Sequence, residues 1–592
     1  MEVEAPDSLR RALWPWRAIL ERRVVSGSTT MKDAGRAWFD VRRLSRTKHA
    51  TDLSITFAEV ATHNHFVLDR GGKVFKGTAP IIKLSQAANE EDHLAILGYL
   101  NSSVACFWMK QVFFSVGGSG VGRGIQDEEW ESRYQIDSTK LKTAPLPPKA
   151  RRHVELARSL DENAQRRAGI SPSAVLASWL AREGGDLDLA SVRYQRDELL
   201  AQAVAYQEQL DWVLYEDLGL LSDADIQELN RHPAHEKLPP GQRAFERILR
   251  LNEPQSAWFI RNGYADPATA VPDALVTAQI TLIQGNKNLA LIERPQHKRR
   301  WGVPDHPGEE RAAARAILAE VVERHMPALS ATRLELQRIV SSHLGAKAEA
   351  LAHLADWPLG DLILAEAVPF VGAARLTTSG LQKQVEWERV WNLQRSEDAG
   401  ETLNKIARPA EYQKEDFCTE RIWQLRGPLD VPKERFISYP GCESDHDGEP
   451  VYGWAGWDHE QRAKALATLY WKRKTEESWG KDRLTPMLAG LLELLPWLKH
   501  WHSAVSDDYA GDSPANYYAG FLDGECRTLG LTHDDLRAWR PAAKVRGKKA
   551  TAKTAAAMVS GDDAPAAEPP AKPVRKKRTK KDAVVQEGNE TP

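Results

Sequence analysis

Cysteine is scarce in this chain. Cys106, Cys418, Cys442 and Cys526 are the four among 592 residues, they lie far apart, and no Cys-x-x-Cys pair occurs. That excludes a disulfide framework and a cysteine-rich zinc site, and it suits a reducing, cytoplasmic setting. No apolar run approaches the roughly 18 residues that a membrane-spanning helix needs. The first residues, MEVEAPDSLRRALW, have no apolar core, so a secretory signal is not expected. No repeat of fixed period is apparent. Nor is any GxGxxG or GK[ST] phosphate loop present in register.

What is present is a soluble composition, 42% apolar and 27% charged, on a chain long enough for about three to four domains. The net charge of −2 is unevenly spread. Residues 1–150 carry 21 Lys+Arg against 17 Asp+Glu (+4) and residues 541–592 carry 12 against 6 (+6), which leaves −12 for 151–540. Basic ends around an acidic middle point to polyanion contact at the ends, against the plainer reading of ordinary scatter.

The organisation expected is a mixed α+β, multi-domain chain, with an α/β recognition-type domain followed by helical regions and a mixed C-terminal domain. The boundaries read as 1–148, 149–219, 220–345, 346–540 and 541–592. ITFAEVA (55–61), HFVLD (65–69) and APIIKL (79–84) have strand character. Asp69-Arg70-Gly71-Gly72-Lys73 predicts a hairpin turn between the last two, because glycine accepts positive φ. HLAILGYLNSSVACFWMKQVF (93–113) has helical spacing. APLPP (144–148) marks a boundary. In 149–219, Val192, Leu199, Tyr206 and Val213 recur every seven residues with Ala203 and Leu210 between them, which predicts an antiparallel helix pair closed at Gly219. Residues 220–345 read as mostly helical. From 541 onward Ala, Pro and Lys dominate and aromatics vanish, so a disordered basic tail is expected, with PVRKKRTKK at 573–581.

Several patterns bear on function. In THNHF (62–66), His63 and His65 would share one face of a strand. A zinc site needs two more ligands, and none stands at a recognisable spacing. Asn64 suits adenine in the major groove and the histidines suit base edges or phosphates. Arg70, Lys73 and Lys76 flank the predicted turn, where they could reach a phosphate backbone or simply be solvated. GGSGVGRG (117–124) fits a flexible loop that approaches DNA, with Arg123 on a phosphate or in a groove, better than a nucleotide site. Arg294, His297, Lys298, Arg299 and Arg300 beside Trp301 suit backbone binding or a solvated surface. In VPKERF, Lys433, Glu434 and Arg435 suit an ion-pair cluster. The 20 tryptophans suit base stacking or, more commonly, core packing. No nuclease signature is recognisable.

FAEVATHNHFVLDRGGKVFKGTAPIIKL (57–84), LGYLNSSVACFWMKQ (97–111) and GGSGVGRG (117–124) together resemble the target-recognition region of large adenine-specific DNA methyltransferases. The family is the phage-exclusion (BREX, PglX) type, with its fused restriction-modification relatives. NKNLALIERPQHKRRW (286–301) and WQLRGPLDVPKERFISYPG (423–441) resemble it too, so the likeness covers roughly residues 10–541. It implies a DNA-reading role in phage defence, with double-stranded DNA as partner, alongside a separate methyltransferase subunit and other defence proteins. It also implies S-adenosylmethionine for the complete enzyme and no cofactor on this chain. The catalytic Asn-Pro-Pro-Tyr/Phe loop of such enzymes has no counterpart, since Asn-Pro-Pro occurs nowhere in the 592 residues. No catalytic residue is therefore assigned, and the chain is expected to be inactive alone. WPWRAILERR (14–23) resembles an interior stretch of longer members, so a truncated or split gene is expected. The alternatives are a sequence-independent nucleic-acid binder and a non-catalytic partner subunit.

Overall fold

The structure, a computed structural model, describes residues 6–41, 52–116, 128–146, 152–264, 272–356, 359–403 and 406–542. Arg123 with the glycine-rich 117–124 stretch, and all but the first two residues of the expected tail, lie outside them. The described residues form a mixed α+β protein in which helices far outnumber strands.

A two-stranded ribbon of Val24–Ser26 and Thr29–Thr30 comes first, and two small sheets follow. Ser54–Phe57 is the central strand of one, with Phe66–Asp69 and Ile81–Ile82 antiparallel on either side. Register places Ile55 opposite Leu68 and Phe57 opposite Phe66. All four side chains are buried with Leu94 and Leu97. Full burial of a residue such as Ile55 contributes about 1.5–3 kcal/mol. The second sheet has the order Val60–Ala61, Arg133–Gln135, Phe114–Val116. The expected 55–61 strand is thus divided between two sheets. The expected hairpin at 69–73 is also corrected. Gly71 and Gly72 do adopt positive φ, but Phe66–Asp69 pairs with Ser54–Phe57 and the chain then crosses to that strand's other edge.

The expected 93–113 helix is two helices, Glu90–Leu100 and Ser103–Val112. The break has a local cause. The Ser102 hydroxyl accepts from Ala105 N and so starts a new helix. The Asn101 side chain holds both backbone groups of Phe66, at 2.9 Å each. The helical reading of 149–219 resolves into His153–Gly169, Pro172–Ala181 and Leu189–Asp217. Arg152 pairs with Asp217 and Asn163 donates to Leu199 O, so the first and last run antiparallel. Gly219, at φ +69, follows the end of the long helix, where Leu220 N returns to Tyr215 O. The Leu189–Asp217 helix is buried nearly all round in its C-terminal half. One side faces the Ile55 core and the other a second core with Trp301 and Ile283.

Residues 14–19 pack against residues 368–429. The Trp14 indole donates to Asp398 and the Trp16 indole to Leu429 O. Gln394 bonds both Trp14 O and Ala18 N. Trp16 and Ile19 lie on a core built from Val368, Trp387 and Phe417. Residues 331–454 supply a four-stranded sheet in the order Val368–Pro369, Phe436–Ser438, Val451–Trp454, Ala331–Thr332. The helices His459–Glu476 and Lys481–Trp501 contribute to the largest core, in which Leu176 and Trp457 also lie. Cores therefore run across positions 148, 219 and 345.

Tryptophan mostly packs. Trp14, Trp130, Trp179, Trp212, Trp258, Trp301, Trp387, Trp457 and Trp479 are buried, while Trp471 is exposed. In VPKERF the expected ion pairs form with distant partners. Glu434 meets Arg426 at 2.6 Å, and Arg435 meets Glu323 at 3.3 Å.

Candidate nucleic-acid interface

Two stretches about 230 residues apart in sequence come together. His63 Nε2 lies 2.9 Å from Pro295 O, and Arg299 Nη2 lies 3.3 Å from His65 Nδ1. The Cys106 thiol faces Gln296 O at 3.9 Å, and the His297 ring meets Phe107 edge-on. The segment after the glycine-rich stretch arrives at the same junction. Gln296 Nε2 donates to Glu129 at 2.8 Å, and the Arg300 guanidinium covers the Trp130 ring at 4.8 Å. THNHF and RPQHKRRW thus form one surface.

The contact with Pro295 O places the His63 proton on Nε2 and leaves Nδ1 to accept from the Thr62 hydroxyl at 3.1 Å. Burial, then the Lys110 ammonium, pushes His63 down to about 3, and the same two causes push His297 down to about 4. Burial and then Arg167 lower Arg299 to about 10. Lys110 is itself lowered by burial, and its buried ammonium has no hydrogen-bond partner among the described residues. The junction is therefore rich in cations and neutral imidazoles. Glu129 is the carboxylate that acts on Lys110 there.

The other expected DNA contacts are distributed differently. Asn64 is buried and donates both amide hydrogens inward, to Leu100 O at 2.6 Å and Ser102 O at 2.8 Å. Its amide nitrogen has nothing left to offer a base. His63 and His65 precede the Phe66–Asp69 strand and do not share a strand face. His63 turns inward to Pro295, whereas His65 is exposed. Arg70 is held by Glu90 at 2.9 Å and Asp161 at 2.7 Å. Lys73 is exposed, 3.5 Å from Asp69. Lys76 is exposed.

The largest departure is Lys298, read in the sequence as one of a surface cation cluster. It is completely buried, with its ammonium 2.9 Å from each of Glu208, Asp211 and Glu293. Burial alone would lower it. The three carboxylates outweigh burial and raise it. Arg243, also fully buried, holds Glu246 at 2.7 Å and donates to Arg299 O at 2.8 Å. Tyr215 donates to Glu293, and Asp211 accepts from the Ser103 amide and hydroxyl. This network ties the RPQHKRRW backbone to the long helix and to the start of the Ser103–Val112 helix. Glu208 and Asp211 were open to sequence reasoning as carboxylates inside the otherwise uncharged LLAQAVAYQEQLDWVLY. Such a pair calls for a buried cation, although nothing local names Lys298. Arg167 and Lys110 carried no comparable signal.

Among the described residues no group of three or more His, Cys, Asp or Glu could hold a metal ion. No helix is long and apolar enough to cross a membrane.

Residues 203–550 match a family described as "Domain of unknown function (DUF7008)", and that match covers more than half of the chain. The chain belongs to this family. It is also 38% identical to the adenine-specific methyltransferase PglX of Streptomyces coelicolor (strain ATCC BAA-471 / A3(2) / M145), over 93% of its own length and 48% of the relative's. The resemblance to PglX-type proteins read from the sequence is thereby borne out, and the chain spans about half the length of that relative. No solved structure matches. The match thus begins inside the long helix, at residue 203, after the 54–135 sheets, and takes in the RPQHKRRW stretch and the helices and sheet that follow.

Proposed function

We propose that this chain is the DNA-recognition portion of an S-adenosylmethionine-dependent adenine-specific DNA methyltransferase of a phage-defence or restriction-modification system. The catalytic domain, and the cofactor with it, lies outside these residues. Double-stranded DNA is its substrate surface, and a methyltransferase subunit or domain is its working partner. The observation that carries the reading is the junction of THNHF with RPQHKRRW. There the two resembling stretches meet, and among the described residues the polar contacts of Arg294, Arg299 and Arg300 are to Ala290 O, the His65 ring and the Asn262 side chain rather than to a carboxylate. Cations left unpaired at a surface are the footprint expected of phosphate contact. His65, exposed beside Arg299, is the group best placed to reach a base edge. Asn64 takes no part, since its amide is engaged inside. Lys73, Lys76 and Arg123 are further phosphate contacts in this reading, whereas Arg70 is taken up by Glu90 and Asp161.

The test is selection of bound duplexes from a random-sequence DNA library by the purified chain, at a salt concentration that suppresses loose binding. Enrichment of one asymmetric sequence supports the reading. Salt-sensitive binding without enrichment would favour a sequence-independent binder, and no binding at low salt would overturn DNA recognition.

A further inference from the structure

Phe113 and Phe114 are neighbours where the Ser103–Val112 helix gives way to the Phe114–Val116 strand. Extended backbone sends consecutive side chains to opposite sides. Phe113 goes inward, buried in the Ile55 core and edge-on to Trp108. Phe114 goes outward and is 74% exposed. Its ring is nonetheless held. The Lys140 ammonium sits 3.6 Å from the ring centre and donates to Val112 O at 3.0 Å, so one face of the ring carries a fixed cation. Strand register sets what lies alongside. Phe114 and Val60 both stand opposite Gln135, so these three exposed side chains form a row on one face of the sheet. Arg133, two residues from Gln135 on the middle strand, is exposed on that face as well. The Glu59 carboxylate is engaged by the Gln135 amide at 3.0 Å.

The same sheet runs into the candidate interface. Val60–Ala61 continues directly into Thr62 and His63. The middle strand follows Glu129 and Trp130, which meet Gln296 and Arg300. Two strand spacings separate Phe114 from Val60, about 10 Å. The three residues from Val60 to His63 span about 11 Å at most. Phe114 thus lies within roughly 20 Å of His63, a span of about six base-pair steps of one duplex.

We propose that Phe114 is a base-stacking site: the open face of its ring receives one unstacked nucleobase of the bound DNA, with Lys140 behind the ring and Arg133 beside it. The proposal rests on the DNA-recognition reading for its ligand. Every base has a π-face that a phenyl ring can cover, so the contact tolerates any base identity. Chemistry on a base requires taking it out of the stack, and the proposed function therefore puts unstacked bases on the DNA that this face meets. A folded protein partner is a poorer fit. It would bury about 800 Å² of this surface, far more than one ring and one valine present. Cations over and beside the ring suit an anionic backbone instead.

The experiment uses the full chain, Phe114→Ala, Phe114→Trp and, as a control at another exposed apolar residue, Val385→Ala. Two labelled duplexes of the same sequence are compared as a function of salt, one fully paired and one with a single bulged 2-aminopurine. The wild type should bind the bulged duplex about fivefold or more tightly than the paired one. The emission of the bulged base should change on binding. Phe114→Ala should bind both duplexes alike and leave that emission as it is in free DNA. Its log K against log salt slope should equal that of the wild type, because no phosphate contact is removed. Phe114→Trp should keep the preference, and Val385→Ala should match the wild type throughout. Phe114→Ala should also melt as the wild type does, since the ring lies outside the core. A preference that survives in Phe114→Ala, or is missing from the wild type, would overturn the proposal and leave DNA recognition intact. An equal loss of affinity for both duplexes, with a shallower salt slope, would make Phe114 a support for phosphate contacts and overturn stacking. Conversion of a dimer to a monomer by Phe114→Ala, with DNA binding unchanged, would make this face a contact between copies and overturn it too. No binding of either duplex by the wild type at low salt would overturn the DNA-recognition reading and this proposal with it.

Discussion

Lys298 Nζ lies 2.9 Å from the Asp211 carboxylate, and neither side chain has exposed surface. With Glu208 and Glu293 also on the ammonium, three carboxylates share one ammonium in the interior, and the buried Arg243 adds a second cation 3.7 Å from Glu208. The ammonium fixes the backbone on which Arg299 and Arg300 are presented.

Lys298→Met should therefore be strongly destabilising. It leaves a group of carboxylates in the core without their shared cation, and breaking a buried pair from one side costs about 3–5 kcal/mol. Urea denaturation monitored by tryptophan fluorescence measures this. A loss under about 1 kcal/mol would show that the cluster relaxes or takes up protons at little cost.

Stability should fall as pH rises from about 4.5 to about 7 through Glu493. Burial raises this carboxyl to about 7, from an ordinary value of 4.5, against the opposing effects of the Gly372 amide and Arg375. A carboxyl with a raised folded value binds more protons folded than unfolded, so its contribution is complete below about 4.5 and is lost toward 7. Glu493→Gln should flatten that part of the curve. An unchanged stability slope in the variant over this window would remove Glu493 as the cause.

Trp14→Ala should loosen the C-terminal body rather than the small sheets. The indole is buried against Trp497 and Trp501 and donates to Asp398 at 2.7 Å. Truncating a buried tryptophan costs about 3–5 kcal/mol. Hydrogen exchange should quicken in 378–398 and 420–429 and stay unchanged in 54–69. Equal or greater loosening of 54–69 would contradict the packing described.

The chain alone should transfer no methyl group. With labelled S-adenosylmethionine and phage or host DNA, incorporation should match that of a boiled control. The motivation is the missing Asn-Pro-Pro motif. Incorporation above the control would place catalytic residues on this chain and refute the division of labour proposed.

Local signals carried much of the secondary structure. A run rich in Phe and Val was enough for Phe66–Asp69, helical spacing for Leu189–Asp217, and a glycine able to take positive φ for the close at Gly219. These depend on backbone preferences and on side-chain period, both of which lie within a few neighbouring residues. The stretches that resemble PglX-type proteins were legible too, because family likeness is a property of residue order.

The availability of a charged or polar group for a ligand was decided only by tertiary structure. Arg70 and Arg299 look alike in sequence, each a cation beside a turn or an aromatic. Asp161, 91 residues on, takes up the first, while the carboxylate that acts on the second is bound to Lys298. Asn64 looked like a base reader until the Leu100 and Ser102 carbonyls claimed its amide. Lys298 looked like a surface cation until the chain closed over it. Burial and counter-charge act through space at a few ångströms, and residues up to hundreds of positions apart set them. Those distances come into being only when helix, sheet and strap pack together.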